Sequence, residues 1–157
     1  MQPDIREQYD KIYRYCYFRL GDVHVAEDIT QETFLRSLEN GGWKAAGHAL
    51  AYLYTVARNL CIDEYRKRGT RGSVEELMPG KEPEDSDTEE RRVDNLLLWA
   101  AVKELPKWEQ ELVLLRYINE VPVAELAKFD GVSRFALYRK LKQILKKLER
   151  RISDETD

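Results

Sequence analysis

Apolar side chains recur at helical spacing along the chain. At its start, Ile5, Tyr9, Ile12, Cys16 and Leu20 are separated by four, three, four and four positions, the period of one buried helix face. No segment keeps the two-residue alternation that is typical of a half-buried strand. The pattern predicts an all-α fold.

Turn and capping residues divide residues 1–72 into three helices. Gly21 ends the first helix, and Asp22 can cap a second helix that runs to about residue 38. A loop at 39–47 contains Gly41 and Gly42, and it separates the second helix from a third that we predict from about 48 to 67. One stripe of this third helix comprises Leu50, Leu53, Ala57, Cys61 and Glu64.

Residues 95–152 contain a second set of helices. Leu98, Val102 and Leu105 form a stripe that Pro106 ends. The inward positions predicted for the next helix are Trp108, Leu112, Leu115 and Ile118.

A short helix, a tight turn and a long helix complete this second set. Pro122 suits the first turn of the short helix, which runs through Phe129. Gly131 is free to take a positive φ, and Ser133 can cap the long helix. The inward positions predicted for the long helix are Leu137, Leu141, Ile144, Leu145 and Leu148. This order of elements is typical of a helix-turn-helix.

Residues 73–94 separate the two sets of helices. The segment carries nine acidic and three basic side chains, with Pro79, Gly80 and Pro83, so it can bury little surface to offset its ordering entropy. We interpret 73–94 as a flexible acidic linker between two small helical domains at 1–72 and 95–152. A long surface loop within a single domain is the alternative.

The distribution of charge favours a nucleic-acid partner, although the net charge is −3. Residues 133–151 carry eight basic side chains and one acidic side chain, and local charge governs encounter with a phosphate backbone. Because no apolar run reaches the ~18–20 residues of a membrane span and no signal peptide opens the sequence, we expect a cytoplasmic protein without membrane insertion. Two cysteines, Cys16 and Cys61, are too few for a disulfide scaffold.

The long basic helix has the side chains that a DNA recognition helix needs. Donors and aromatic groups near its start can reach base edges, and cations further along can bind phosphates. The candidates are Arg134, Phe135, Tyr138 and Arg139 for bases, with Lys142 and Lys146 for phosphates. A solvated amphipathic face is the alternative, and Phe135 and Tyr138 have the further alternative of packing inward against Phe129.

The third helix combines aromatic and basic side chains suited to unpaired bases. Aromatic faces stack bases, cations follow the backbone, and an Asn amide can read the edge of a base. The candidates are Tyr52, Tyr54, Arg58, Asn59, Tyr65, Arg66, Lys67, Arg68 and Arg71. Packing of several of these tyrosines into the core is the alternative.

Several motifs resemble bacterial RNA polymerase sigma factors. The runs VAEDITQETFL at 25–35 and YLYTVARNLCID at 52–63 are similar to region 2 of that family. The runs LP at 105–106, LVLLRY at 112–117, ELA at 125–127 and GVS at 131–133 fall where region 4 would place them. Region 2 followed by region 4, with no region 3 domain between them, resembles the extracytoplasmic-function (ECF) class of the sigma-70 family.

The resemblance implies a protein that binds core RNA polymerase and promoter DNA and promotes strand opening for transcription initiation. It places the second helix on the β′ clamp, and the implied contacts are Asp28, Gln31, Glu32 and Leu35. It implies contacts to the minus-ten element from Trp43, Lys44, Tyr52, Arg58, Asn59, Arg66 and Lys67. The implied contacts to the minus-thirty-five element are Ser133, Arg134, Phe135, Tyr138, Arg139, Lys142 and Lys146. The β flap and an anti-sigma protein are further partners that members of this class can have.

Three other classes of function remain as alternatives. An enzyme has little support, because His24 and His48 lie at no metal-ligand spacing from the cysteines and no phosphate loop or nucleophile elbow occurs. We therefore expect no catalytic residue, metal or cofactor. A helix-turn-helix regulator that never enters the polymerase would leave the region 2 motifs unexplained, and a sigma-like adaptor would not direct initiation.

Overall fold

The computed structural model describes residues 5–40, 49–68 and 89–156. All regular structure in these ranges is helical, so the predicted all-α fold is confirmed. Within the same ranges, no helix has the combination of length and low charge that a bilayer span needs.

The N-terminal unit consists of three helices, α1 (Ile5–Leu20), α2 (Val23–Asn40) and α3 (Ala49–Arg68). Gly21 between α1 and α2 has a φ of 71°, and the Asp22 carboxylate accepts the Val25 N–H at 3.0 Å, so both predicted boundary roles are confirmed. Helix α2 runs two residues past its predicted end. The remainder of the predicted loop, from residue 41, lies outside the described residues.

The core of the N-terminal unit uses the predicted stripes together with polar side chains of α2. Ile12, Cys16 and Leu20 of α1 are buried, as are Leu53, Ala57 and Cys61 of α3. Helix α2 contributes Thr30, Thr33 and Ser37, also buried, and each hydroxyl donates to the backbone carbonyl four residues earlier at 2.7–2.9 Å. These bonds satisfy the hydroxyls without a partner helix, so α2 can pack a polar-looking face inward.

The C-terminal unit contains α4 (Glu89–Lys103), α5 (Lys107–Val113), a π-helical segment (Leu114–Ile118), α6 (Val123–Asp130) and α7 (Arg134–Thr156). Helix α4 begins at Glu89, so residues 89–94 are helical, whereas we predicted them as the end of the linker. Most of the predicted inward positions are buried: Val102, Leu105, Leu112, Leu115, Leu137, Leu141, Ile144 and Leu148.

Two predicted core positions are wrong, because Trp108 is 52% exposed and Leu145 is 46% exposed. Trp108 lies at the edge of the buried arc of α5, since Glu109 and Gln110 occupy the inward positions of its first turn. Leu145 follows Ile144 by one residue, which is about 100° around the helix. The stripe of α7 is therefore narrower than predicted.

The two units pack directly against each other. The Phe129 ring of α6 meets Tyr15 of α1 and Tyr54 of α3 at centroid distances of 6.3 and 6.1 Å, both edge to face. Helices α3 and α6 have the most extensive contact between the units, and the buried residues of both units form one continuous core. The prediction of two domains on a flexible linker did not anticipate this contact.

Candidate nucleic-acid interface

Helices α6 and α7 form the predicted helix-turn-helix. Gly131 adopts a φ of 73°, and the Val132 N–H donates to the Ala127 carbonyl at 3.1 Å, which closes the end of α6. The Ser133 hydroxyl accepts the Ala136 N–H at 3.1 Å and caps α7. The turn thus fixes the first residues of α7 relative to α6.

The base-reading candidates on α7 point to solvent. Phe135 is 80% exposed and Tyr138 is 57% exposed, whereas Phe129 is 6% exposed, so the alternative of inward packing against Phe129 is wrong. Arg134 and Arg139 are also exposed. Two large aromatic side chains and two guanidinium groups are therefore available at the start of this helix.

The basic side chains of α7 divide into two groups. Lys142 and Lys146 are exposed along the helix. Lys147, by contrast, binds both carboxylate oxygens of the buried Glu109, at 2.9 and 2.8 Å. Lys140 binds Asp130 at 3.0 Å and lies 5.5 Å from the centroid of the Trp108 ring, so part of the positive charge of α7 stabilises the unit itself.

On α3, the structure brings some of the minus-ten candidates to one face. Tyr52, Asn59 and Arg66 are spaced by seven residues, two helical turns, and so lie in one row. Asn59 and Arg66 are exposed and Tyr52 is half-buried. The exposed Lys67 lies beside this row. Tyr54 is 1% exposed, so for this residue the core alternative is the observed one.

Arg58 faces the C-terminal unit. Its guanidinium carbon lies 4.3 Å from the centroid of the Phe129 ring, and Nη1 donates to the Phe129 carbonyl at 3.4 Å. The structure thus separates Arg58 from the row of Tyr52, Asn59 and Arg66. Two further candidates, Trp43 and Lys44, lie outside the described residues.

The polymerase-binding candidates lie on the outer side of α2. Asp28, Gln31 and Leu35 are exposed and Glu32 is half-buried, opposite the inward hydroxyls of that helix. Glu32 accepts a hydrogen bond from Arg36 at 2.9 Å.

The same side of α2 carries one residue that the sequence interpretation missed. Leu38 is 54% exposed, close to the 55% of Leu35, and it lies three residues further along. The signal that could have found it is this helical spacing from Leu35.

Sequence reasoning also missed a partly buried polar cluster at the junction of the two units. Arg19 of α1 donates to Glu111 of α5 at 2.6 Å, and the Tyr15 hydroxyl donates to the other Glu111 oxygen at 3.3 Å. Burial raises the pKa of Glu111 above its usual range, although Arg19 opposes that rise. These partners are more than 90 residues apart in the sequence, so no local motif marks them.

Cys16 and Cys61 are both buried and reduced beside this cluster. A hydrogen bond with Cys16, together with burial, raises the pKa of the Cys61 thiol far above its usual range. A thiol with so high a pKa has little thiolate and is unreactive. Both cysteines are core residues here.

Comparison with known proteins identifies the family of this chain. The Sigma-70 region 2 family model matches residues 5–71. The chain is 36% identical over 158 residues to the ECF RNA polymerase sigma factor BldN of Streptomyces coelicolor, covering 95% of this chain but only 59% of that relative. It is 32% identical over 138 residues to the ECF RNA polymerase sigma factor SigW of Bacillus subtilis, covering 78% of this chain and 73% of SigW.

A chain of a solved structure is also similar to this chain. A chain of the RsbN–BldN complex is 30% identical with a TM-score of 0.35, covering 92% of this chain and 86% of that one. The match to SigW extends through most of both chains. It is too long to lie within residues 5–71, so it also includes part of the C-terminal unit. This chain therefore belongs to the ECF sigma factors of bacterial RNA polymerase.

Proposed function

We propose that this protein binds core RNA polymerase, recognises the minus-ten and minus-thirty-five elements of a promoter, and promotes strand opening. One observation carries the proposal. A chain that matches sigma region 2 over 5–71 also carries a helix-turn-helix whose second helix presents exposed aromatic and basic side chains. A protein with only one of these surfaces could not contact both promoter elements.

The minus-thirty-five element is read by α7 in this proposal. Arg134 and Arg139 have the fork of donors that pairs with guanine in the major groove, and Phe135 and Tyr138 offer apolar contact to thymine methyl groups. The exposed Lys142 and Lys146 lie further along α7 and bind phosphates there. Ser133 caps α7 and thereby positions these side chains.

The minus-ten element is bound by α3 together with the segment that precedes it. The row of Tyr52, Asn59 and Arg66 offers a ring for stacking, an amide for a base edge and a cation for the backbone, with Lys67 as a second cation. Capture of unpaired bases shifts DNA toward the melted state, because it offsets the free energy of unstacking. Trp43 and Lys44 contribute here by resemblance to the family.

The outer side of α2 docks on the polymerase β′ clamp. Asp28, Gln31 and Glu32 supply charge and polarity that guide docking, and the exposed Leu35 and Leu38 supply apolar area. The C-terminal unit contacts the β flap in the same complex. No catalytic residue is needed for any of these steps.

The test is run-off transcription by core polymerase plus this protein on a genomic fragment library, with the starts sequenced. Discrete starts that share two upstream motifs support the proposal and supply the promoter sequence. Core binding without any starts would indicate an adaptor, and absence of core binding would indicate a helix-turn-helix regulator.

Two variants separate the DNA contacts. Arg139→Ala should weaken binding to the upstream duplex while polymerase binding stays intact, and Arg150→Ala, exposed three turns further along α7, is its matched control. Asn59→Ala should reduce permanganate reactivity of the melted thymines more than it reduces initial DNA binding. Equal promoter affinity of the Arg139→Ala variant and the parent at the same salt would remove that assignment.

A further inference from the structure

A cavity of about 340 Å³ lies where the end of α1, the second half of α3 and α5 meet. Phe18 and Cys61 form its floor and are only 6% and 1% exposed. Ile62 and Tyr65 of α3 line its side, and Tyr65, which is 41% exposed, stands at its mouth. Small-molecule sites in proteins occupy about 300–1,000 Å³, so this cavity is large enough for a small organic ligand.

Charged side chains complete the lining of the cavity. Arg19 and Glu111 form an ion pair with 2.6 Å between Nη1 and Oε1, and the Tyr15 hydroxyl donates to the other Glu111 oxygen at 3.3 Å. Both oxygens of this carboxylate are therefore occupied. Arg66 and Lys107 also line the cavity, and both are exposed. Because three lining side chains are basic and one is acidic, the net charge of the lining is positive.

The helical repeat brings the positive charge to the apolar lining from two directions. Ile62 and Arg66 are four residues apart on α3, as are Lys107 and Glu111 on α5, so each pair shares one face of its helix. The Lys107 Nζ lies 6.0 Å from the centroid of the Phe18 ring, which places this ammonium group over the floor. An anion that approaches Lys107 is therefore already beside an apolar surface.

We propose that this cavity binds a small organic anion, with the apolar body of the ligand against Phe18, Ile62 and Tyr65 and its anionic group at Arg66 and Lys107. A medium-chain acyl or aromatic carboxylate has this combination of an apolar body and one charged end. At about 30 Å³ per water-sized group, the cavity accommodates about eleven non-hydrogen atoms, which is the size of octanoate or phenylpropionate.

The lining suits a carboxylate of this kind better than a sugar phosphate. The hydroxyl groups of a sugar need polar partners when they are buried. The only acidic side chain in the lining, Glu111, already accepts hydrogen bonds at both oxygens. An acyl chain or an aromatic ring needs no such partner.

Arg66 gives the cavity a connection with DNA binding. The same side chain belongs to the row on α3 that we propose for the minus-ten element, and a bound anion would offset its charge. We therefore expect a ligand in the cavity to weaken binding to minus-ten DNA. This consequence rests on the proposed function, whereas binding of the ligand does not.

Calorimetric titration of the full chain with probes of equal length tests the preference for an anion. Octanoate, octanol and octylammonium share one apolar body and differ in charge. We expect octanoate to bind with a Kd of about 1 mM or below, the ordinary affinity of so small a ligand. It should bind about tenfold more tightly than octanol and more tightly still than octylammonium. The preference should shrink as salt is added, because screening weakens the attraction.

Matched variants locate the site. Arg66→Gln and Lys107→Gln should each weaken octanoate binding about threefold to fivefold and leave octanol binding unchanged. Lys67→Gln and Lys103→Gln remove the same charge from exposed positions outside the lining and should leave both affinities unchanged. Tyr65→Ala removes part of the apolar wall and should weaken octanoate and octanol binding alike. Circular dichroism checks that each variant keeps its helix content.

Nuclear magnetic resonance gives a readout of position that does not depend on affinity. Saturating octanoate should shift the amide signals of Cys61 and Ile62, which lie in the lining. Unmoved signals there overturn the assignment, as do equal affinities for octanoate and octanol. An octanoate affinity that neither Arg66→Gln nor Lys107→Gln changes also overturns it.

The outcomes keep the ligand site separate from the proposed function. If octanoate binds as expected but core polymerase never binds, the site is supported and the proposed function fails. If the protein directs transcription but no probe binds, the proposed function stands and the site is overturned.

Discussion

Lys147→Met should destabilise the C-terminal unit, whereas the adjacent Lys146→Met should not. Lys147 binds both carboxylate oxygens of Glu109, whose side chain is 4% exposed. The substitution keeps most of the volume of the lysine stem but leaves the carboxylate buried without its cation. Lys146 is exposed, so Lys146→Met should change the free energy of unfolding by less than about 0.5 kcal/mol.

The expected magnitude follows from the burial of the two partners. Breaking a fully buried pair costs about 3–5 kcal/mol, because one charge remains without a partner. Lys147 is 47% exposed, so water already screens part of this interaction. Glu109 also lies in the first turn of α5, where the helix dipole favours a carboxylate. We therefore expect a loss of about 2–3 kcal/mol in the free energy of unfolding.

Urea denaturation followed by circular dichroism measures this loss, and duplex binding at several salt concentrations measures the other role of each lysine. Lys146→Met should reduce the salt slope of minus-thirty-five binding by about one, and Lys147→Met should leave that slope unchanged. Adding Glu109→Gln to Lys147→Met should restore most of the stability, because the uncompensated charge is removed. A Lys147→Met variant as stable as the parent would refute the reasoning about the buried carboxylate.

Three further predictions concern the turns and the recognition helix. The Val25 N–H lowers the pKa of Asp22. The stabilising contribution of this carboxylate is therefore present above the ordinary carboxyl pKa and is lost as the pH falls through the lowered value of the folded protein. Asp22→Asn, which keeps an acceptor, should flatten the profile of stability against pH below the ordinary carboxyl pKa. Phe135→Ala should leave the melting temperature unchanged, because the ring is 80% exposed. It should reduce the affinity for duplex DNA about fivefold or more, but only for sites in which the ring contacts a thymine. Gly131→Ala should lower the free energy of unfolding by about 1 kcal/mol, measured by chemical denaturation, because φ is 73° at this position while a Cβ there meets no atom within 4 Å. Glu120 has a φ of 56°, so Glu120→Gly should raise the free energy of unfolding.

The helix boundaries beside Gly21 and Ser133 could be predicted because their causes are local, whereas the start of α4 at Glu89 was not predicted. Gly21 ends α1, and Asp22 caps α2 by accepting a backbone N–H three residues later. Ser133 caps α7 in the same way. The spacing of apolar positions also identified most of the core. The spacing failed at Trp108, because the next two residues point inward instead. Glu109 binds Lys147, and the Gln110 amide donates to the carbonyls of residues 103 and 105. Partners of this kind leave no periodic signal in the sequence.

The candidate site could be predicted by residue type but not by orientation. Arginine and lysine look alike on a basic helix, yet Lys147 is engaged in an ion pair and Lys142 is exposed. Arg58 and Asn59 are neighbours in one motif, but 100° of helical rotation turns Arg58 toward Phe129. Which side of a helix meets another unit depends on contacts between residues distant in sequence.

The π-helical segment at Leu114–Ile118 makes the position of Asn119 depend on chain length. The Asn119 N–H donates to the Leu114 carbonyl five residues earlier, at 2.8 Å, so this turn holds one residue more than an α-helical turn. The Asn119 amide nitrogen donates to the Lys11 carbonyl and to the Tyr54 hydroxyl, both at 2.9 Å. Deleting one residue from the segment would restore an ordinary helix and rotate the following residues by about 100°, which would carry this amide away from both partners. A homologue one residue shorter between α5 and α6 would thus lack both hydrogen bonds even if it kept an asparagine.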